Sequence, residues 1–408
     1  MEFHHKFVAG AAAVVVTAVV GYGVQLYGPP ATTTVVGPAP ASVFAGALPS
    51  VTTLGPAPTR DLDLGAAPTL AEVLPRLELF VEEARGRQFR HQVAVAPLSD
   101  KAFAEQLREE DGPESLDPGW EATLTALHLV PARFNFSTLR SQRESGVGGY
   151  FDFASKSLFV RSDVLDPLAQ SILVHELTHA LDDQYSSLDA LSQEGDDQDQ
   201  SEAIQALVEG DARWVEDQFS QALTDQRQAQ EDAERKADYG DQVSTDVVPA
   251  ALQDRSSFPY DAGSDFVQNL RNAGGAGAVD AAFADPPTST LQIIDESDRY
   301  QDRVDPVTVQ EPGTAAGMVV DSGTLGVELL SSLVGGVGAS LGMPDPRLEH
   351  WAGDAYETVR KGDQTCVRDT AESTDGGLHF LEDALSDVPG AKVTVTGPTS
   401  LLLVSCTG

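Results

Sequence analysis

The stretch Ser171-Ile-Leu-Val-His175-Glu176-Leu-Thr-His179-Ala-Leu181 decides how this chain reads. It places His-Glu-x-x-His inside an apolar run. Asp166-Pro167 just upstream is a helix start, with an Asp cap and a proline at the first helical position. Leu168, Ile172, Leu173, Leu177 and Leu181 continue a buried helical pattern. Residues four apart on a helix stand one above the other, so His175 and His179 project from one face and both imidazoles can reach one zinc ion. Glu176 adjoins the first ligand and can reach a water at the metal, which suits a general base in hydrolysis. The competing reading is a helix with two satisfied structural histidines. A buried ionisable trio is costly without a task, which favours the metal.

Catalytic zinc needs a third protein ligand and a position left open for water. A continuation with glycine three residues after His179 and histidine six residues after it is excluded, because Asp182 and Tyr185 stand there. A glutamate on a second helix is the other common solution. The next helical stretch runs from Ser201 to Ala212 and holds Glu202 and Glu209, seven apart, so either can face the site. Glu209 is the preferred ligand: it sits among apolar residues, and Gly210 beside it allows close helix approach. Glu202 adjoins an acidic polar loop and reads as solvated.

His175-Glu-Leu-Thr-His179 followed by Glu209-Gly-Asp-Ala resembles the gluzincin zinc metallopeptidases. More closely, the chain resembles a group of largely uncharacterised bacterial neutral zinc metallopeptidase-like proteins. Phe80-Val-Glu-Glu-Ala-Arg-Gly86, Gly149-Tyr-Phe-Asp152 and His175 to Gln184 carry that likeness. So do Phe258-Pro-Tyr260 with Gly263 and Phe266, and Pro286-Pro-Thr-Ser-Thr290. Asp321-Ser-Gly-Thr-Leu-Gly326 and Trp351-x-Gly-Asp354-x-Tyr356 complete it. The likeness spans about residues 70 to 408, judged by motif order. It implies zinc held by two histidines and a downstream glutamate. Two departures stand out. The His179 to Glu209 gap is longer than in thermolysin-like enzymes, through an acidic insert near Gln193 to Gln200. Where such proteins carry His-Pro after Thr290, this chain has Ile293-Ile-Asp-Glu-Ser-Asp298.

Charge is unevenly placed along the 408 residues. There are 26 Lys+Arg against 63 Asp+Glu, a net charge of −37, which argues against nucleic-acid binding and against an electrostatic grip on anionic lipid. Residues 7 to 59 hold no charge at all, and within them Phe7 to Tyr27 is a largely apolar run long enough to span a bilayer. Lys6 precedes it and the next charge is Arg60, so the expected orientation leaves the body outside. A cleaved export signal is the alternative. Both export the body, to the outer face of the cell membrane or as a secreted protein. Gly28 to Pro58, rich in Pro, Ala, Thr, Val and Gly, reads as an extended tether. In an exported chain, the only two cysteines, Cys366 and Cys406, suggest one disulfide stapling the last strand to an earlier one. Around them the pattern predicts strands near 365–369, 391–396 and 401–405 and a helix near 378–385.

These readings predict an α+β, helix-rich fold: a gluzincin-like zinc metallopeptidase core with a small β-sheet, preceded by a transmembrane helix. The expected divisions are 1–27 as anchor or signal, 28–68 as linker and 69–408 as the zinc domain. The expected activity is zinc-dependent hydrolysis of a peptide or protein substrate, with His175, His179 and Glu209 on Zn2+ and Glu176 as base. The alternatives are a cell-wall amidase and an inactive scaffold. Tyr260, Tyr300, His350 and Tyr356 are candidate oxyanion donors, and Asp183 or Asp211 could accept the second ring proton of a ligand histidine. The hairpin from Gly149 to Arg161 could take a peptide by strand addition, Thr224 to Asp241 reads as a solvated helix, and Asp196-Asp197-Gln198-Asp199 is a weak calcium candidate. Ser162 to Ala212 has 13 acids and no Lys or Arg, which suggests a local field favouring basic or neutral peptides at low salt.

Overall fold

The computed structural model describes residues 68–111, 118–136, 147–161, 165–192, 194–195, 197–240, 249–294, 299–313, 317–335 and 345–407. The expected membrane helix at 1–27 and the expected linker at 28–68, apart from residue 68, lie outside the described residues. Among the described residues no helix is long and apolar enough to cross a membrane.

The fold is α+β, as expected. The helices are α1 (Leu70–Arg85), α2 (Asp100–Asp111), α3 (Pro118–Ala126), α4 (Pro167–Ser186), α5 (Leu188–Leu191) and α6 (Gln198–Ala222). They continue with α7 (Asp225–Gly240), α8 (Ala250–Gly274), α9 (Ala276–Ala284), α10 (Thr290–Ile294), α11 (Gly326–Leu333) and α12 (Leu378–Ser386). A small sheet has the order β1-β3-β2, from Ala94–Pro97, Ser157–Val160 and Gly149–Asp152. A five-stranded antiparallel sheet has the order β4-β5-β6-β8-β7. Its strands are Met318–Gly323, Trp351–Lys361, Gln364–Ser373, Lys392–Val395 and Ser400–Cys406. One apolar core runs through the helices and under the second sheet, from Val73 and Leu77 of α1 to Leu401 and Leu403 of β8.

The metal-motif helix begins as its sequence dictates. Asp166 caps α4, accepting from the Ala169 amide at 2.9 Å, and Pro167 is its first residue. From Gln170 to Asp182 every residue is buried, so α4 is central rather than a surface helix with one wet face. Its neighbour α6 is capped by Asp197, which accepts from the Gln200 amide at 3.0 Å. Gly210 of α6 and Gly263 of α8 face each other, and a Cβ on Gly210 would come within 2.7 Å of Gly263 Cα. The close approach anticipated from Gly210 therefore exists, but toward α8.

The C-terminal strands and helix fall where the pattern placed them. Cys366 and Cys406 lie directly opposite in the β6–β8 register and form a disulfide. Two other markers meet at a joint between sheet and helices. Asp354 accepts from the amides of Leu325 and Gly326, capping α11, and from Trp351 Nε1 at 2.9 Å. The Tyr356 hydroxyl donates to Asp321 at 2.9 Å. Thr290 donates its hydroxyl to Asp199, and the Glu328 amide donates to Thr290 Oγ1. These markers do structural work.

Candidate metal centre

His175 and His179, one turn apart on α4, point at Glu209 of α6. His175 Nε2 lies 3.2 Å and His179 Nε2 3.5 Å from the same oxygen, Glu209 Oε2. The three are fully buried or within 1% of it. They are the one group of three or more His, Cys, Asp or Glu among the described residues whose ligand atoms converge closely enough to hold a metal ion. For a tetrahedral ion with ligand bonds of about 2.0–2.1 Å, neighbouring ligand atoms stand about 3.3–3.4 Å apart. The measured separations bracket that edge. Both His179 ring nitrogens, Glu209 Oε1 and Glu176 Oε1 are buried without a hydrogen-bond partner, which is the signature of groups that await a ligand. The residues present therefore fit a metal.

Glu176 is fixed by the small sheet. Its Oε2 accepts from the Phe151 amide of β2 at 2.9 Å, while Oε1 is unengaged. Glycine makes this approach possible: a Cβ on Gly148 would meet Ile172 Cδ1 at 2.7 Å, and one on Gly149 would sit 3.3 Å from Ile172 Cγ2. The hairpin turn is tied down by Lys156, whose Nζ donates to Asp183 at 2.8 Å. The strand-addition expectation meets an obstacle here. β2 is an edge strand, but Gly149 to Phe151 are buried and the Phe151 amide is already taken by Glu176.

The outer support of His175 is Glu216, which sequence reasoning missed. Glu216 Oε2 lies 3.3 Å from His175 Nδ1. Glu202, Glu209 and Glu216 follow one another at intervals of seven, two helical turns, along one face of α6. Extending that spacing by one step beyond Glu209 would have found it. Burial pushes the Glu216 carboxyl up, but Arg213, the His175 hydrogen bond and Arg235 overrule it and hold it well below the usual range. Burial pulls the His175 imidazole down, yet its bonds to Glu209 and Glu216 win and raise it to about 10. Burial pulls His179 below its ordinary value. The two carboxylates thus favour the protonated ring of His175, while burial favours the neutral ring of His179.

Several expected roles fall elsewhere. Glu202 is buried rather than solvated, and pairs with Arg255 of α8. Asp183 holds Lys156 and the Leu188 amide, and Asp211 holds Arg85 and Arg271, so neither orients a ligand histidine. Asp197 and Asp199 are used as a helix cap and as the acceptor for Thr290. Asp196 lies outside the described residues. Of the oxyanion candidates, Tyr260 alone stands at the site, its ring 6.1 Å from that of His175. Tyr300 donates to the Asp285 carbonyl, Tyr356 to Asp321, and His350 stacks on Phe380. The described residues of the insert before Glu209 end in the first turn of α6, and Glu209 stands beside both histidines.

No family model, curated protein or solved structure matches this chain.

Proposed function

We propose that this chain is a zinc-dependent peptidase of the gluzincin type. The observation that carries this reading is the convergence of both Nε2 atoms on Glu209 Oε2 with Glu176, one oxygen free, on the same helix. Two nitrogens and one carboxylate suit zinc, and three protein ligands would leave a fourth position for water, as a catalytic site needs. When bound, zinc supplies a Lewis acid that acidifies water and polarises a carbonyl. Glu176 is the residue placed to take a proton and return it to a leaving amine, and the Phe151 amide fixes its orientation. Glu216 fixes the His175 ring through Nδ1, leaving Nε2 for the metal. The apolar N-terminal run and the disulfide support a site of action outside the cytoplasmic membrane.

The burial of His175, Glu176, His179 and Glu209 favours one second reading, a metal that is held but screened from substrate, as in a scaffold or a latent enzyme. Metal analysis of the purified chain followed by peptide-library cleavage separates these. The peptidase reading expects one zinc per chain, and cleavage that falls at least a hundredfold in Glu176→Gln with zinc retained. Absence of stoichiometric metal sinks it. Zinc with no cleavage in either protein supports the screened site.

A further inference from the structure

Behind the ligands, three charged side chains from three helices meet out of solvent. Arg85, the last residue of α1, is fully buried. Its Nε and Nη2 donate to Asp182 Oδ1 at 2.9 and 2.6 Å, and its Nε lies 2.6 Å from Asp211 Oδ2. Asp182 follows His179 by three residues on α4, and Asp211 follows Glu209 by two on α6. One guanidinium therefore grips, within a turn of a metal ligand, each of the two helices that supply them. Arg271 of α8 braces the arrangement. It donates to Asp211 Oδ1 at 3.1 Å and to the Ala84 carbonyl at 3.1 Å, with its guanidinium 3.6 Å from the Trp214 ring centre.

Stability alone is a weak reason for such a triad, since apolar residues of similar volume often do as well. A forked guanidinium gives geometry instead. It is planar and always charged; here it donates twice to Asp182 and lies against Asp211 as an ion pair, which ties the two carboxylates at a set separation. Apart from this pair and the contacts of His175 and His179 with Glu209 and Glu216, the α4–α6 contact is apolar packing, which has no preferred direction. Metal ligation, by contrast, tolerates only about 0.2 Å of error in ligand distance.

We propose that Arg85 is a positioning residue for the metal centre: by holding Asp182 and Asp211 in one guanidinium, it sets the separation of α4 and α6 at the level of His179 and Glu209. The inference rests on the metal reading above and names the device that makes the site accurate. It also assigns a role to the Phe80-to-Gly86 segment, which lies far from the ligands in sequence.

The test uses the metal-free full chain as wild type, Arg85→Lys and Asp280→Asn. Each is titrated with Co2+, whose visible absorption reports coordination geometry, and with Zn2+ in competition with a chelator. Thermal unfolding of the metal-free proteins is recorded alongside. Arg85→Lys keeps a positive charge between the two acids but cannot fork between them. The expected result is near-wild-type metal-free unfolding, a tenfold or greater loss of affinity for both metals, and an altered Co2+ spectrum. Asp280 contacts the same guanidinium at 3.3 Å, but from α9, which carries no ligand. Asp280→Asn should keep wild-type affinity and spectrum. Wild-type affinity and spectrum in Arg85→Lys overturn the proposal, as does an equal loss in Asp280→Asn. Should Arg85→Lys fail to fold, Asp211→Asn is read by the same criteria. Wild type that binds no metal removes the metal reading and this role with it. Wild type that binds metal while Arg85→Lys is unaffected removes this role alone.

Discussion

Consider Gly210→Ala. Two effects of opposite sign compete. Replacing a mid-helix glycine by alanine favours the helix by about 1 kcal/mol when nothing is in the way. Here the new Cβ would sit 2.7 Å from Gly263 Cα, 0.7 Å short of the 3.4 Å at which ordinary contact begins, and closer still to the Gly263 carbonyl. Those atoms are backbone, so no side-chain rotation relieves the overlap and α6 must move away from α8. Overpacking of this kind costs about 1–3 kcal/mol, occasionally more, and a backbone clash belongs at the upper end. The net expectation is a loss of about 2 kcal/mol. The displaced helix also carries Glu209, the residue before Gly210, by more than the tolerance of a metal bond of about 0.2 Å. Urea unfolding of the metal-free chain should show a lower midpoint with unchanged slope, and metal affinity should fall in parallel. Refutation is a matter of sign. An unchanged or raised midpoint means that the helices do not meet at this glycine.

Other expectations follow from the same contacts. Glu216→Gln keeps the shape but removes the charge beside His175 Nδ1, and should weaken metal affinity about 10- to 100-fold. Unchanged affinity in an equilibrium titration would remove Glu216 from the site. A second expectation concerns Asp369, whose two oxygens are buried without a donor, while the nearby Asp354 accepts three N–H bonds. Burial raises both acids, Asp354 to about 6 and Asp369 well above its ordinary value, and Asp354 adds to the rise of Asp369. Acids raised in the folded state stabilise it below the ordinary aspartate value of 3.8, and that stability is lost as pH rises through about 6 and beyond. The melting temperature of the metal-free chain should therefore fall between about pH 4 and pH 8. Asp369→Asn should flatten the decline and raise the value at pH 8. Identical slopes in the two proteins would contradict the coupling.

Much of the centre was legible because its parts are local. His175, Glu176 and His179 share one helix, so spacing alone aligns them, and the Asp166-Pro167 start is a property of adjacent residues. Glu209 was reachable because apolar neighbours and Gly210 marked it as buried. Glu202 misled because exposure was inferred from the acidic loop before it. Its cation, Arg255, arrives from a helix about fifty residues later in the chain. Asp183 and Asp211 failed as histidine partners for the same reason, since Lys156, Arg85 and Arg271 reach them from other elements. Glu216 lay one step further along a spacing already in view, but nothing in sequence says which end of a glutamate row meets the histidine helix. Pairing between distant segments is the information a local reading lacks. The disulfide was legible only because two cysteines allow one pairing.

That same limit bears on the field expected around the site. Ser162 to Ala212 holds 13 acids and no Lys or Arg, which on its own predicts a negative field at the metal. Folding brings the missing cations from outside the stretch. Arg85 and Arg271 meet Asp182 and Asp211, Arg255 meets Glu202 and Lys156 meets Asp183. Asp166 and Asp197 are occupied as helix caps and Asp199 by Thr290, while Glu216 just beyond the stretch has Arg213 and Arg235. Asp182, Asp183, Glu202 and Asp211 are therefore paired with cations, and paired charges lend little field at a distance, so the field is weaker than the stretch alone suggests. Peptides matched in sequence but carrying lysine or glutamate beside the scissile bond should then be cleaved at rates within a few-fold of each other. Raising the salt from about 50 to 500 mM should change that ratio little, because steering by an unopposed field is what salt screens. A strong preference for lysine that collapses with salt would show that the arginines do not neutralise the site, and would restore the field that the sequence alone suggested.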